Sequence, residues 1–147
     1  MEVQPQTKLQ FLGVEIYRTD FSSFKRQTKE DKSSINFNVS PKVIHHAEVS
    51  KFSIVMEANV ECEEFYRLQI GLIGHFQLNG EISEEIRNVF INSNAPAIVF
   101  PYLRSFISSF TSNLGPIITG PITIPPQFFQ GELEKYQQPN ANPTNLH

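Results

Sequence analysis

Residues 94–110 read NAPAIVFPYLRSFISSF, and the rest of the chain is best read outward from them. Asn94 is a helix-capping residue type, and Pro96 is tolerated in a first turn, where its missing N–H would have had no partner. Val99, Leu103, Phe106, Phe110 and Leu114 follow at spacings of four, three, four and four, which is the period of an amphipathic helix. Pro101 lies inside that pattern and removes a backbone donor, so a kink or break is expected between Ala97 and Pro101. Gly115 and Pro116 stop the helix.

Upstream the period changes to two. Ser83 is an N-cap candidate, with Glu84 and Glu85 placed at the positive end of the helix dipole. Ile86, Val89 and Phe90 share a helical face, and Gly80 ends what comes before. Four earlier runs read as strands: 8–21, 35–46, 51–62 and 65–78. In the first, Leu12, Val14 and Ile16 alternate with Gly13 and Glu15. In the second, Ile35, Phe37 and Val39 face one way, while Pro41 predicts an edge position or a bulge because it cannot donate to a ladder. In the third, Phe52, Ile54, Met56, Ala58 and Val60 share a face. In the fourth, Gly71 and Gly74 predict a bend or a close approach of another part of the chain. Short polar turns separate the runs, so an antiparallel meander is the economical topology. Phe21 and Phe24 fall in a stretch rich in Ser and Lys, read as a crossover.

Downstream, residues 116–126 (PIITGPITIPP) hold four prolines and suit an extended connector. Residues 127–137 (QFFQGELEKYQ) are expected to form a short helix with Phe128, Phe129 and Leu133 near one side, weakened by Gly131. The final QPNANPTNLH, residues 138–147, has almost no apolar content and is expected to be disordered. The fold class is therefore α+β: one domain over 1–137, a four-stranded antiparallel sheet followed by helices.

Composition narrows the function. The chain has 147 residues, a net charge of −3 and one cysteine, Cys62. A basic stripe for nucleic acid is not supported, and KRQTKEDK at 25–32 mixes its charges into a weak field. No internal disulfide is possible. No run of about 18 apolar residues occurs and no signal-peptide pattern opens the chain, so a cytoplasmic location without membrane insertion is expected. The unusual quantity is 13 Phe against no Trp. Phe has no polar handle, so each ring is buried, paired or exposed at a cost. Thirteen exceeds the need of one small core, which leaves an oligomer interface or a groove for apolar ligands.

Reactive chemistry is missing. His45 and His46 are neighbours and point to opposite faces of a strand. Cys62, Glu61 and His75 match no zinc spacing. Glu61, Glu63 and Glu64 read as a solvated turn. No phosphate-binding glycine motif or nucleophile elbow occurs. No catalytic residue, metal or cofactor is expected.

Against that background, Asn94, Pro96, Ile98, Phe100, Pro101, Tyr102 and Arg104 closely resemble the signature region of the SecB family of protein-export chaperones. Phe-Pro-Tyr followed by Arg at the start of a long helix is specific. Ile16, Tyr17 and Asp20 resemble that family's first strand. Gly115 to Ile124 resembles its proline-containing connector, and Phe128 and Phe129 stand where its final helix begins. The resemblance implies a four-stranded antiparallel sheet with helices on one face, assembled as a homotetramer built as a dimer of dimers. It implies an ATP-independent chaperone that holds unfolded client polypeptides, preproteins kept competent for Sec-dependent export among them. Candidate client-binding residues are Phe21, Phe24, Phe37, Val39, Phe128, Phe129 and Leu133. Tyr102, Leu103, Phe106 and Phe110 are expected at the subunit interface. The family meets its translocase motor, SecA, through an acidic patch, and Asp20 matches one acidic position. Gln69 stands where a second acid is expected, beside Arg67, so a chaperone dedicated to one client, such as an antitoxin, is the alternative. A scaffolding module without chaperone activity is the third reading.

Overall fold

The computed structural model describes residues 8–31 and 33–137; the tail at 138–147 lies outside the described residues. Five strands, β1 (Leu9–Ser23), β2 (Ile35–His45), β3 (Lys51–Cys62), β4 (Tyr66–Leu78) and β5 (Glu134–Lys135), form one sheet in the order β1-β4-β3-β2-β5. The helical part comprises α1 (Glu84–Val89), a π-helical stretch (Phe90–Asn94) and α2 (Ala95–Ser112).

The two central strands make the core. On β3, Phe52, Ile54, Met56, Ala58, Val60 and Cys62 alternate onto one face and are all buried. On β4, Tyr66, Leu68, Ile70, Leu72, Phe76 and Leu78 do the same. Against this face lies α2, whose buried residues include Ala95, Val99, Phe100, Leu103, Ile107 and Thr111. Both glycines of β4 are close approaches, on opposite faces. A Cβ on Gly74 would collide with Val99 Cγ2 of α2, and one on Gly71 would collide with the ring of Tyr17.

Several expectations are corrected. The sheet is mixed, because β5 runs parallel to β2 at Lys42 and Val43. Strands β2, β3 and β4 form a meander, but β1 crosses over to pair antiparallel with β4 at the far edge. The expected alternation in β1 is interrupted by two bulges, at Leu12 and Tyr17, so Leu9, Phe11, Val14 and Phe21 face the core while Leu12 is exposed; Ile16 keeps the face of Val14, opposite Leu72, yet is 41% exposed. Gly13, with φ +121°, supplies the backbone that the first bulge requires. The first strand also runs past Phe21 to Ser23.

Helix α2 runs unbroken through Pro101. The irregular backbone lies one turn upstream, in the π-helical stretch. Asn94 is itself helical (φ −69°, ψ −47°) and its side chain caps nothing; the start is at Ser83, whose Oγ accepts from the Ile86 N–H at 3.2 Å. The helix expected at 127–137 does not form. Two prolines precede it, Gly131 sits at φ +90°, and the open edge of β2 offers its backbone a partner. That partner is taken at β5, continued by the Tyr136 N–H donating to Val43 O at 2.9 Å.

Candidate functional site

Four of the candidate client-binding residues gather at the β2 edge of the helix-facing side. Phe37 and Val39 project from β2, and Phe129 and Leu133 come from the connector after α2; all four are half-buried against the core. Phe100 of α2 floors the cluster. Its ring lies 6.3 Å from that of Phe37 and 5.5 Å, edge on, from that of Phe129. The connector is pinned where it passes: the Leu133 N–H donates to Asn92 Oδ1 at 2.9 Å, in the π-helical stretch. Phe128, next in sequence to the docked Phe129, stands 92% exposed. Alternation explains the pair: in extended backbone, neighbours face opposite ways.

Phe21 and Phe24 lie elsewhere. Phe21 pairs with Leu68, Leu68 with Val60, and Val60 with Phe37. Phe21 and Phe37 therefore end one rung of the sheet, about 14 Å apart at three strand spacings. Phe21 packs on Tyr66 and Phe110, with centroids at 6.0 and 6.1 Å. Phe24 is fixed by its backbone, its N–H donating to Phe65 O at 2.7 Å, while its ring is 61% exposed. The seven residues thus form two lobes, one at each edge, and each lobe displays one bare Phe. Phe100, which the sequence shows only as part of the family signature, is buried beneath the β2 lobe.

The residues expected at a subunit interface divide too. Leu103 is fully buried within the chain, so it serves the core and is unavailable to a neighbour. The helix is turned so that Ile107 occupies the position expected for Phe106. Tyr102, half-exposed, packs beside Phe11 at 5.2 Å. Phe106 and Phe110 stack at 5.9 Å on the flank of α2.

The other face of the sheet is polar and evenly charged. Asp20 pairs across to Gln69, Gln69 to Asn59, and Asn59 to Asn38. Arg18 Nε donates to Asp20 Oδ2 at 2.6 Å, and Arg18 Nη2 to Gln69 Oε1 at 3.0 Å. The one matched acid is therefore tied to an arginine, and its amide neighbour holds the same arginine. Tyr17 covers Gly71 on this face. Its hydroxyl is pushed well above the ordinary phenol range by burial, helped by the Glu57 charge and a hydrogen bond with Tyr136. His45, at the end of β2, is held below the usual histidine value by burial and by the positive charge of Arg87. Among the described residues no three His, Cys, Asp or Glu side chains are grouped to hold a metal ion, and no helix is long and apolar enough to cross a membrane.

With the two lobes and the α2 flank in place, the family comparison is decisive. The family model described as preprotein translocase subunit SecB matches residues 5–126. The chain belongs to the SecB family. It is 27% identical over 132 residues to an uncharacterised protein of Methanocaldococcus jannaschii, covering 84% of each chain. Its fold is similar to that of the SecB-like chaperone of Mycobacterium tuberculosis solved with a peptide of the HigA1 antitoxin. The TM-score is 0.68 at 14% identity, over 82% of this chain and 91% of that one. SecB-family membership accounts for the Phe-Pro-Tyr-x-Arg segment: Phe100 floors the β2 lobe, and Arg104 Nε donates to Ile124 O at 2.7 Å, fastening the connector to α2.

Proposed function

We propose that this SecB-family protein is an ATP-independent chaperone that holds apolar segments of non-native polypeptides in its two edge lobes. The observation that carries this is Phe128: a ring 92% exposed on a connector anchored on both sides, by Arg104 at Ile124 and by Asn92 at Leu133. An anchored segment that displays a bare Phe is built to be covered. Covering one Phe side chain contributes roughly 1.5–3 kcal/mol, weak enough for release without a nucleotide. Several such lobes on one assembly give avidity. The assembly proposed is a homotetramer, a dimer of dimers, with Tyr102, Phe106 and Phe110 at its interface.

The test is light scattering of a chemically unfolded protein diluted into buffer with and without the chain, in the absence of nucleotide. The proposal expects aggregation to be suppressed, and suppression to weaken in Phe128→Ser and Phe24→Ser. Equal aggregation in the presence of excess chain overturns it.

As to the client, family membership points to preproteins bound for the Sec translocase. The Arg18–Asp20–Gln69 arrangement favours a second reading, a chaperone dedicated to one client. The SecB-like fold neighbour bound to an antitoxin peptide makes an antitoxin the natural class to try. An acid already paired with arginine is a poor contact for a motor that reads negative charge. Direct binding of SecA to the wild-type chain, weakened by Asp20→Asn, would sink the second reading.

A further inference from the structure

Four polar side chains on the sheet's polar face form a connected chain that chaperone activity does not use. Glu15 of β1 has Oε2 3.5 Å from His75 Nε2. His75 of β4 has Nδ1 2.8 Å from Ser53 Oγ of β3. The same oxygen lies 2.8 Å from His46 Nε2, in the turn after β2. Ser53 is only 1% exposed, so its hydroxyl depends on these two rings. His46 is exposed, and the group borders a groove of about 420 Å³ that Leu12, Glu48 and Lys51 also line. His45 and His46 cannot act together, as the sequence implied; His46 acts instead with His75, which β3 and β4 pairing brings opposite Ser53.

The proton count decides what this chain can do. A serine hydroxyl donates once and accepts twice. With both imidazoles neutral, Ser53 donates to His75 Nδ1, whose Nε2–H then faces Glu15, and accepts from the His46 Nε2–H, so every group is satisfied. With one imidazole charged, the charged ring donates to Ser53 Oγ and Ser53 donates to the neutral ring. If the charged ring is His75, its second N–H faces Glu15, so the direction of the chain reverses without loss. With both charged, both rings only donate. The Ser53 proton then has no acceptor among these side chains, and two cations face each other across one oxygen.

The other charges around the group do not relieve this. Glu15, from β1, reaches only His75. Glu48, beside His46 in the turn, is engaged by Lys51 at 3.7 Å. His45 of β2, with Arg87 of α1 at 3.4 Å from its Nδ1, adds positive potential on the side of His46.

We propose that Glu15–His75–Ser53–His46 is a proton-operated latch on the β2–β3 turn, closed with no imidazole or one imidazole charged and opened at His46 when both are charged. Because histidine changes charge between about pH 5 and 8, acidification through that range frees residues 46–50. The turn carries the bare Val49, so opening alters the apolar surface at that end of the sheet.

The test is backbone amide hydrogen exchange on the full chain at about pH 7.5 and about pH 5, corrected for the intrinsic pH dependence of exchange. The proposal expects protection within 46–50 and at Lys51 to fall at least tenfold (~10-fold) at the lower pH, while the central amides of β3 and β4 hold. Ser53→Ala should leave the turn open at both pH values. His75→Gln, which keeps one imidazole only, should abolish the pH step. Nitrogen shifts of the imidazoles should show His46 and His75 exchanging donor and acceptor roles as the first proton binds. Equal protection at both pH values overturns the latch. So does a step that survives in Ser53→Ala, or a loss of protection spread uniformly over the sheet.

Discussion

The centre of the sheet and the connector after α2 are both rich in apolar residues, yet they use them in opposite ways. In β3 and β4 the apolar side chains close on each other and on α2 until nothing is left exposed. In the connector, Ile118, Ile122 and Ile124 are buried while Phe128 stands in solvent. The difference lies in what holds each segment. Strands β3 and β4 have neighbours on both sides, so cohesion comes from packing. The connector has one short pairing and a few side-chain hydrogen bonds to its backbone, so its apolar residues are not all needed to keep it in place. Stability resides in the first region; the second carries the bare Phe128 on which the proposed client binding rests.

The strongest way to break this division is to damage the core and ask whether binding survives. Leu103→Ala removes a fully buried side chain under α2 and is expected to cost about 2–5 kcal/mol, read as a lower denaturant midpoint at unchanged slope. A cost below about 1 kcal/mol would mean that Leu103 is not the core residue its burial indicates.

The two glycines of β4 sharpen the comparison by testing two faces of one strand. Gly74→Ala drives a methyl into Val99 Cγ2 inside the core and should cost about 1–3 kcal/mol. Val99→Ala should recover part of that cost in a double-mutant cycle. Gly71→Ala meets only the Tyr17 ring, which is half-exposed and can swing aside. Its cost should be smaller, about 1 kcal/mol, and insensitive to Val99. Equal costs would mean that the polar face is packed as tightly as the helix face.

The connector answers in the other direction. Phe128→Ser should change stability by no more than about 0.5 kcal/mol, because the ring is almost fully exposed, while Phe129→Ser should destabilise through its contact with Phe100. If Phe128→Ser unfolds the chain, the ring is part of the core and its role in binding falls.

How much of this was legible in the sequence follows from which forces act locally. Strands β2 to β4 and helix α2 were readable because alternation and a near four-residue repeat report burial directly. The bulges at Leu12 and Tyr17 were hidden in β1: a bulge inserts one residue without changing composition, and it only shows once β4 is opposite. The rotation of α2 that buries Ile107 rather than Phe106 is not encoded in the pattern, because both are apolar and adjacent and either fits. Residues 127–137 read as helix in sequence because propensity says nothing of an open strand edge nearby. The two lobes are half visible: the Phe residues that line them stand out in the sequence, but the distance between Phe21 and Phe37 depends on β1 joining the sheet beside β4. The Glu15–His75–Ser53–His46 chain was beyond reach, since it joins three strands and a turn through registers that no local pattern encodes.

The smallest effect tests how the crossover after β1, outside both regions, is held. Asp31 Oδ2 accepts from the Thr28 N–H and from its hydroxyl, each at 2.8 Å, and these bonds hold its carboxyl below the usual range. A carboxylate whose value is depressed on folding stabilises the native state above its ordinary value, near 3.9. That contribution is lost as the pH falls through the depressed folded value. Asp31→Asn lacks the charge at every pH, so the stability gap between it and the wild type should be present at about pH 6 and shrink as the pH falls below about 4. Denaturant midpoints of the two proteins across that range check it. A gap that stays constant down to acid pH would show that the turn is fixed by the shape of the side chain alone. In that case the crossover, like the connector, would owe its place to geometry and little to charge.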